Sequence, residues 1–168
     1  MAAIQSTEAQ REFSYSRRDF ERVKSLVFKE AGINLADSKD AMVYSRLARR
    51  LRALKLHSFE EYLALVASSS VELEHFINAL TTNLTAFFRE PHHFEALAQY
   101  LRKNPQTKRI WCAASSTGEE PYSIAMTVAS VFGTFTPGVH ILATDIDSKV
   151  LQKARTGVYA QNSISQLS

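Results

Sequence analysis

Apolar positions in the first half of the chain recur at helical spacing. Phe20, Val23 and Val27 follow Ser16, which reads as an N-cap with Asp19 as an imperfect capping box, and Gly32 stands where a C-cap glycine belongs. Val43, Leu47, Leu51 and Leu54 make a second stripe, at steps of four, four and three, on a helix of about 38–54 that Asp37 can cap. Ser58 with Glu61 and Ser69 with Glu72 repeat the box. The helices behind them carry Tyr62, Leu63 and Val66, then Phe76, Ile77 and Leu80. Pro91 fits the first turn of a further helix through Phe94, Leu97 and Leu101, with Pro105 beyond its end.

After Pro105 the period changes. Arg109–Ala114 is a short apolar run that predicts a strand, Ser115-Ser-Thr-Gly118 a turn, and 119–132 a helix stopped by Gly133. Val139–Thr144 predicts a second strand, ending in Asp145, and 148–155 a last helix. Such alternation argues for parallel strands joined by crossover helices. The expected fold class is α + α/β: flexible residues 1–14, a small N-terminal helical domain with its linker over 15–88, and the start of a Rossmann-like domain over 89–168.

The 168 residues suffice for one ordinary domain or two small ones. A net charge of +3 favours an acidic partner, without the concentrated excess of a nucleic-acid binder. The single cysteine, Cys112, excludes an intrachain disulfide and fits a reducing, cytoplasmic setting. The start Met1-Ala-Ala-Ile-Gln-Ser-Thr-Glu8 lacks a charged leader with an apolar core, and no apolar run approaches the roughly 20 residues of a membrane span. The glycosylation sequon Asn83-Leu84-Thr85 is accordingly given no weight. His57, His75, His92, His93 and His140 are scattered without ligand spacing, so no metal is expected.

Open parallel sheets bind ligands beyond the carboxyl ends of their strands. One such end carries Ser115, Ser116, Thr117, Gly118 and Glu119; the other carries Asp145 and Asp147. A small-residue turn lets a ligand approach the backbone, and an acid at the second strand's end can accept from a ribose diol. That pattern points to a nucleoside-containing cofactor; the same residues also suit a helix-start charge and a loop acid. One glycine is too few for a dinucleotide fingerprint, and no Lys-Ser or Lys-Thr pair follows Gly118 to make a P-loop. Glu119 and Glu120 at the helix start repel phosphate but suit a sulfonium.

Three segments together resemble the chemotaxis receptor methyltransferases, the CheR family. They are Leu80-Thr-Thr-Asn-Leu-Thr-Ala-Phe-Phe-Arg-Glu90, then Arg109-Ile-Trp-Cys-Ala-Ala-Ser-Ser-Thr-Gly-Glu-Glu-Pro-Tyr-Ser-Ile-Ala-Met126, and Leu142-Ala-Thr-Asp-Ile-Asp147 with its continuation to Tyr159. Gly32-Ile-Asn-Leu35 and Val43-Tyr-Ser-Arg-Leu-Ala-Arg-Arg-Leu51 extend the likeness into the helical part. The resemblance implies a class I S-adenosylmethionine-dependent methyltransferase domain that esterifies receptor glutamates. It implies cofactor contacts at Asn83, Thr85, Arg89, Glu119 and Asp145, with Asp145 on the ribose and Arg89 as the catalytic position, orienting rather than transferring protons. Structural readings stand beside these: Asn83 and Thr85 as turn or cap residues, Arg89 paired with Glu90 or Glu95.

Arg46, Arg49 and Arg50 share one helix face, and Arg52 and Lys55 extend it, with only Asp40 as a nearby acid. The face reads either as solvated surface or, as the resemblance implies, as a dock for the acidic methylation helices of methyl-accepting chemotaxis receptors. RNA binding is the competitor, disfavoured by the lack of interleaved exposed aromatics. The family's later cofactor motifs do not occur in this sequence, so a chain truncated at its C-terminus is expected. Nothing in the pattern demands a dimer.

Overall fold

The structure, a computed structural model, describes residues 11–165. Residues 1–10 of the expected flexible lead lie outside the described residues. The end of that lead is held in place: Phe13 is buried and donates its N–H to Tyr44 Oη at 3.1 Å. The chain divides between Leu80 and Thr81 into two compact units.

The first unit holds helices α1 (Arg17–Ala31), α2 (Asp40–Leu54), α3 (Phe59–Ser68) and α4 (Ser70–Leu80), with a 3-10 turn Asp37–Lys39 before α2. At the start of α1 the capping box is complete. Ser16 Oγ accepts from Asp19 N at 3.2 Å, and Asp19 Oδ2 accepts from Ser16 N at 2.9 Å. Gly32 ends the helix at φ +67°, a left-handed conformation that any Cβ would strain. Phe20, Val23 and Val27 are wholly buried, as their spacing predicts. Each such side chain contributes about 1.5–3 kcal/mol on leaving water. Val43, Leu47 and Leu51 of α2 meet them, with Tyr62, Val66 and Phe76 from α3 and α4.

Three helix starts differ from the sequence reading. At α3, Ser58 Oγ accepts from Glu61 N at 3.2 Å, but the Glu61 carboxylate accepts from His57 N, one residue before the cap. Asp37 does not cap α2. It opens the 3-10 turn, and its carboxylate goes to Lys24 at 2.8 Å and Arg17 at 2.9 Å, because cations on α1 outcompete a local backbone amide. At α4, Ser69 Oγ accepts from Glu72 N at 3.2 Å, but the Glu72 side chain does not return to close the box. It turns inward to Arg50.

The second unit runs α5 (Pro91–Lys103), β1 (Arg109–Cys112), α6 (Glu119–Phe132), β2 (His140–Ala143) and α7 (Ser148–Thr156). The strands are parallel, in register from Arg109 with His140 to Cys112 with Ala143. Pairing continues past the strands proper, through Thr144 N to Cys112 O and Ser115 N to Thr144 O, both at 2.9 Å. One sheet face packs Cys112 with Phe94 and Leu101 of α5 and Ile124 and Val128 of α6. Among the described residues the other face is open, with Trp111 68% and Leu142 60% exposed. Residues 81–88 group with this second unit. Thr81 and Asn83 hydrogen-bond to Asp147, and the Phe88 N–H donates to Ser123 Oγ at 3.0 Å.

A candidate cofactor site at the strand ends

Pairing of β1 with β2 brings both strand ends to one edge of the second unit, and the turn 115–118 departs from one of them. Ser116 takes φ +48° and Gly118 φ +102°, so the chain curls back before α6 begins at Glu119. At Gly118 the reason for glycine is spatial as well. A Cβ there would run into Tyr159 Oη and lie 3.0 Å from Ala154 Cβ. Tyr159 is tied down by donating to Thr117 O at 2.7 Å, and Phe87 meets its ring edge-on at 4.9 Å. Burial, then the Glu119 charge, pushes the Tyr159 hydroxyl up to about 12.

Asp145 leaves β2 half-buried. Its Oδ2 accepts from Ser116 N at 2.7 Å and its Oδ1 from Asp147 N at 2.9 Å. Each carboxylate oxygen has room for about two donors, so each keeps a lone pair for a ligand hydroxyl. Glu119 is buried, and its Oε2 accepts from Thr117 Oγ1 at 2.6 Å. Ser115 Oγ is buried with no partner among the described atoms. Two carboxylates beside a turn without lysine or arginine suit a cofactor with a positive centre and a diol, and would repel a phosphate.

The segment 81–90 approaches from the other side. Asn83 Nδ2 donates to Asp147 Oδ2 at 2.7 Å, and the Asn83 carbonyl accepts from Ser116 Oγ at 3.3 Å. Thr85 lies half-buried in the same stretch. Arg89 is exposed and donates to the Leu84 carbonyl at 2.8 Å, a local loop contact. Phe88 and Glu90 flank Arg89 at φ +50° and φ +56°. Backbone held in that region by bulky residues is costly and collects near functional sites. Ser123 holds the bend: its hydroxyl accepts from Phe88 N and donates to Glu119 O at 2.7 Å. Asn83 and Asp145 thus meet through Ser116 and Asp147, while Glu119 is bonded to Thr117 of the same turn. Ser116, Ser123, Asp147 and Tyr159 join them. Of these, Ser116 and Asp147 carried a sequence signal, as a small turn residue and an acid at the two strand ends.

The α2 arginines are divided among tasks. Arg46 donates to the carbonyls of Ala79 at 3.4 Å and Leu80 at 3.0 Å, closing the end of α4. Arg50 grips Glu72 with two bonds, 3.0 and 2.6 Å, and Glu72 is buried. Arg52 pairs with Glu12 at 2.8 Å, and Arg49 is exposed. The supposed lack of nearby acids is overturned: Glu72 and Glu12 come from other elements, out of sight of a single-helix reading.

Among the described residues no helix is long and apolar enough to cross a membrane. No group of three or more His, Cys, Asp or Glu there is placed to hold a metal ion.

The strand-end geometry suits a nucleoside-containing cofactor, in an α/β unit that follows a helical unit in sequence. Comparison with known proteins narrows this. The family description "CheR methyltransferase, all-alpha domain" matches residues 18–81, and "CheR methyltransferase, SAM binding domain" matches residues 83–168. "Chemotaxis protein methyltransferase 2" of Pseudomonas aeruginosa is 52% identical over 159 residues, covering 93% of this chain and 57% of that protein. The "Chemotaxis protein methyltransferase" of Escherichia coli is 50% identical over 166 residues, 98% of this chain and 57% of its own length. Its namesake in Salmonella typhimurium is 52% identical over 151 residues, 89% and 52% respectively. The chain belongs to the CheR methyltransferase family. It spans a little over half the length of these curated relatives.

Proposed function

We propose that this chain carries the receptor-recognition and cofactor-binding parts of an S-adenosylmethionine-dependent enzyme that methylates glutamate side chains of chemoreceptors. The observation that carries the reading is the meeting of three segments, 81–85, 115–119 and 145–147, around two carboxylates at the strand ends. Asp145 would take the ribose diol on its remaining lone pairs. Glu119 and Thr85 would line the same pocket, Asn83 would fix its wall, and Arg89 would orient the incoming carboxylate. When bound, the cofactor supplies a methyl group on a positively charged sulfur, itself a good leaving group.

The protein has little proton chemistry to perform. A glutamate side chain is ionised near neutral pH, so no general base is needed. No proton would have to move when the carboxylate takes the methyl group from the sulfonium, because the two charges would cancel. What remains is alignment of oxygen, carbon and sulfur, and exclusion of water. Arg89, which among the described residues donates to a loop carbonyl, can guide a carboxylate without quenching its nucleophilicity. For docking, Arg49 and Arg52 are exposed on α2, Arg52 paired with Glu12, with Arg46 and Arg50 supporting the surface behind them. The partner is the acidic methylation region of methyl-accepting receptors. The setting is the cytoplasm, and the working form is a monomer with neither metal nor nucleic acid.

A second reading, a receptor-binding module without turnover, draws on the two-stranded sheet and its bare Trp111 face. Calorimetric titration with S-adenosylhomocysteine, with Asp145→Ala as control, tests the cofactor site. Binding that vanishes in the variant supports it. Absence of binding by the folded chain leaves the docking module as the better account. Transfer of a labelled methyl group to receptor then separates enzyme from module.

A further inference from the structure

The three site segments are joined by a closed circuit of hydrogen bonds. Asn83 Nδ2 donates to Asp147 Oδ2, and Asp147 N donates to Asp145 Oδ1. Ser116 N donates to Asp145 Oδ2, and Ser116 Oγ returns to the Asn83 carbonyl. Asp147 also accepts from Thr81 Oγ1 at 2.8 Å and, through Oδ1, from Lys149 N at 3.0 Å, which caps α7. It is only 3% exposed.

A helix cap alone does not explain this residue. Asn or Ser would cap α7 equally well without burying a charge. What only a carboxylate supplies is a second acceptor oxygen, and here that oxygen takes the Thr81 hydroxyl and the Asn83 amide. Asn83 and Thr81 lie 64 and 66 residues away in sequence, so this is a cross-link between distant segments. The 3.3 Å contact from Ser116 Oγ is a longer bond between the same segment and the turn.

We propose that Asp147 is the positioning residue of the cofactor site: it fixes segment 81–85 against the 115–118 turn and holds Asp145 for its ligand. This rests on the cofactor reading above. Asp147 acts through Asn83 and Asp145 and touches no reacting atom.

The informative variant is Asp147→Asn. Its remaining oxygen still caps α7, while an NH2 group replaces the oxygen that faced two donors. Calorimetry with S-adenosylhomocysteine, thermal unfolding and amide exchange over 81–88 are read on this variant, on Asn83→Ala, on the double variant and on Asp145→Ala. The expected result is affinity down roughly 10-fold or more in Asp147→Asn with a nearly unchanged unfolding temperature. Faster exchange over 81–88 is expected too. The double variant should be no weaker than Asp147→Asn alone, since two links of one chain do not add. A merely structural residue would move the unfolding temperature and leave that non-additivity absent. Binding within twofold of the parent in Asp147→Asn, with Asp145→Ala still abolishing it, overturns the positioning role and leaves the cofactor reading intact. No binding by the parent chain overturns both.

Discussion

Arg49 and Arg50 are neighbours on α2 with opposite roles: one faces solvent, the other holds a buried glutamate. The Glu72 side chain is only 7% exposed, so Arg50→Ala would strand a carboxylate where water cannot reach it. The expected cost is about 3 kcal/mol, read as a lower urea midpoint by circular dichroism. Arg49→Glu should stay within about 0.5 kcal/mol of the parent, so a loss of receptor binding in it reports docking and not folding. An Arg50→Ala chain of undiminished stability would refute the buried-pair account. At Cys112, burial and then the Glu120 charge push the thiol up to about 11. Near neutral pH its thiolate population is about 100-fold below that of an ordinary thiol. Iodoacetamide should therefore label Cys112 only as fast as the second unit opens, and rapidly in urea. Native labelling at the rate of a free thiol would contradict this.

At the scale of elements, Tyr159 joins the stretch after α7 to the turn before α6. Its folded-state value lies above the 10.0 of an unperturbed tyrosine, so its contribution is complete below that pH and is lost as the pH rises through about 12. Cys112 adds a loss of the same sign from 9.0 to about 11. Urea unfolding followed by circular dichroism should show stability of the second unit falling across this alkaline range. Tyr159→Phe should remove the upper part of the slope while lowering stability at neutral pH by about 1 kcal/mol for the lost bond to Thr117. An unchanged alkaline profile would exclude the tyrosine as its source. The elements themselves were legible because their signals are local: a Ser-Asp box at Ser16, stop glycines at Gly32 and Gly133, a change of period at Arg109. So was the site's acid at Asp145, placed by the end of a strand. Glu72 was misread because its local box lost to Arg50, 22 residues upstream. The Asp147 tether was invisible for the same reason, since no periodicity links residues more than sixty positions apart.

At the scale of the whole molecule, the sheet among the described residues is two-stranded and open on one face. Parallel sheets are normally covered on both faces, yet Trp111 and Leu142 stand open here. Trp111 should accordingly emit as a hydrated indole and be quenched freely by acrylamide, and Leu142→Thr should change stability by no more than about 0.5 kcal/mol. Blue-shifted emission, shielded from quencher, would show that the face is covered. The α + α/β class was predictable from the change of period, but the bare face was not: apolar strand residues read alike whichever side they face.

The tether at Asp147 has a consequence for how the chain is made. Synthesis proceeds from the N-terminus, and Asn83 leaves the catalytic centre of the ribosome 64 residues before its anchor. At cellular translation rates that interval is roughly 3 to 13 s. Helices α1 to α4 can fold within it, since each contact they need lies upstream of Thr81. The segment 81–85, with Leu84 already exposed to solvent in the finished fold, must wait unanchored. The nascent chain therefore passes through a period in which its helical unit is complete and this stretch is open to chaperones and proteases.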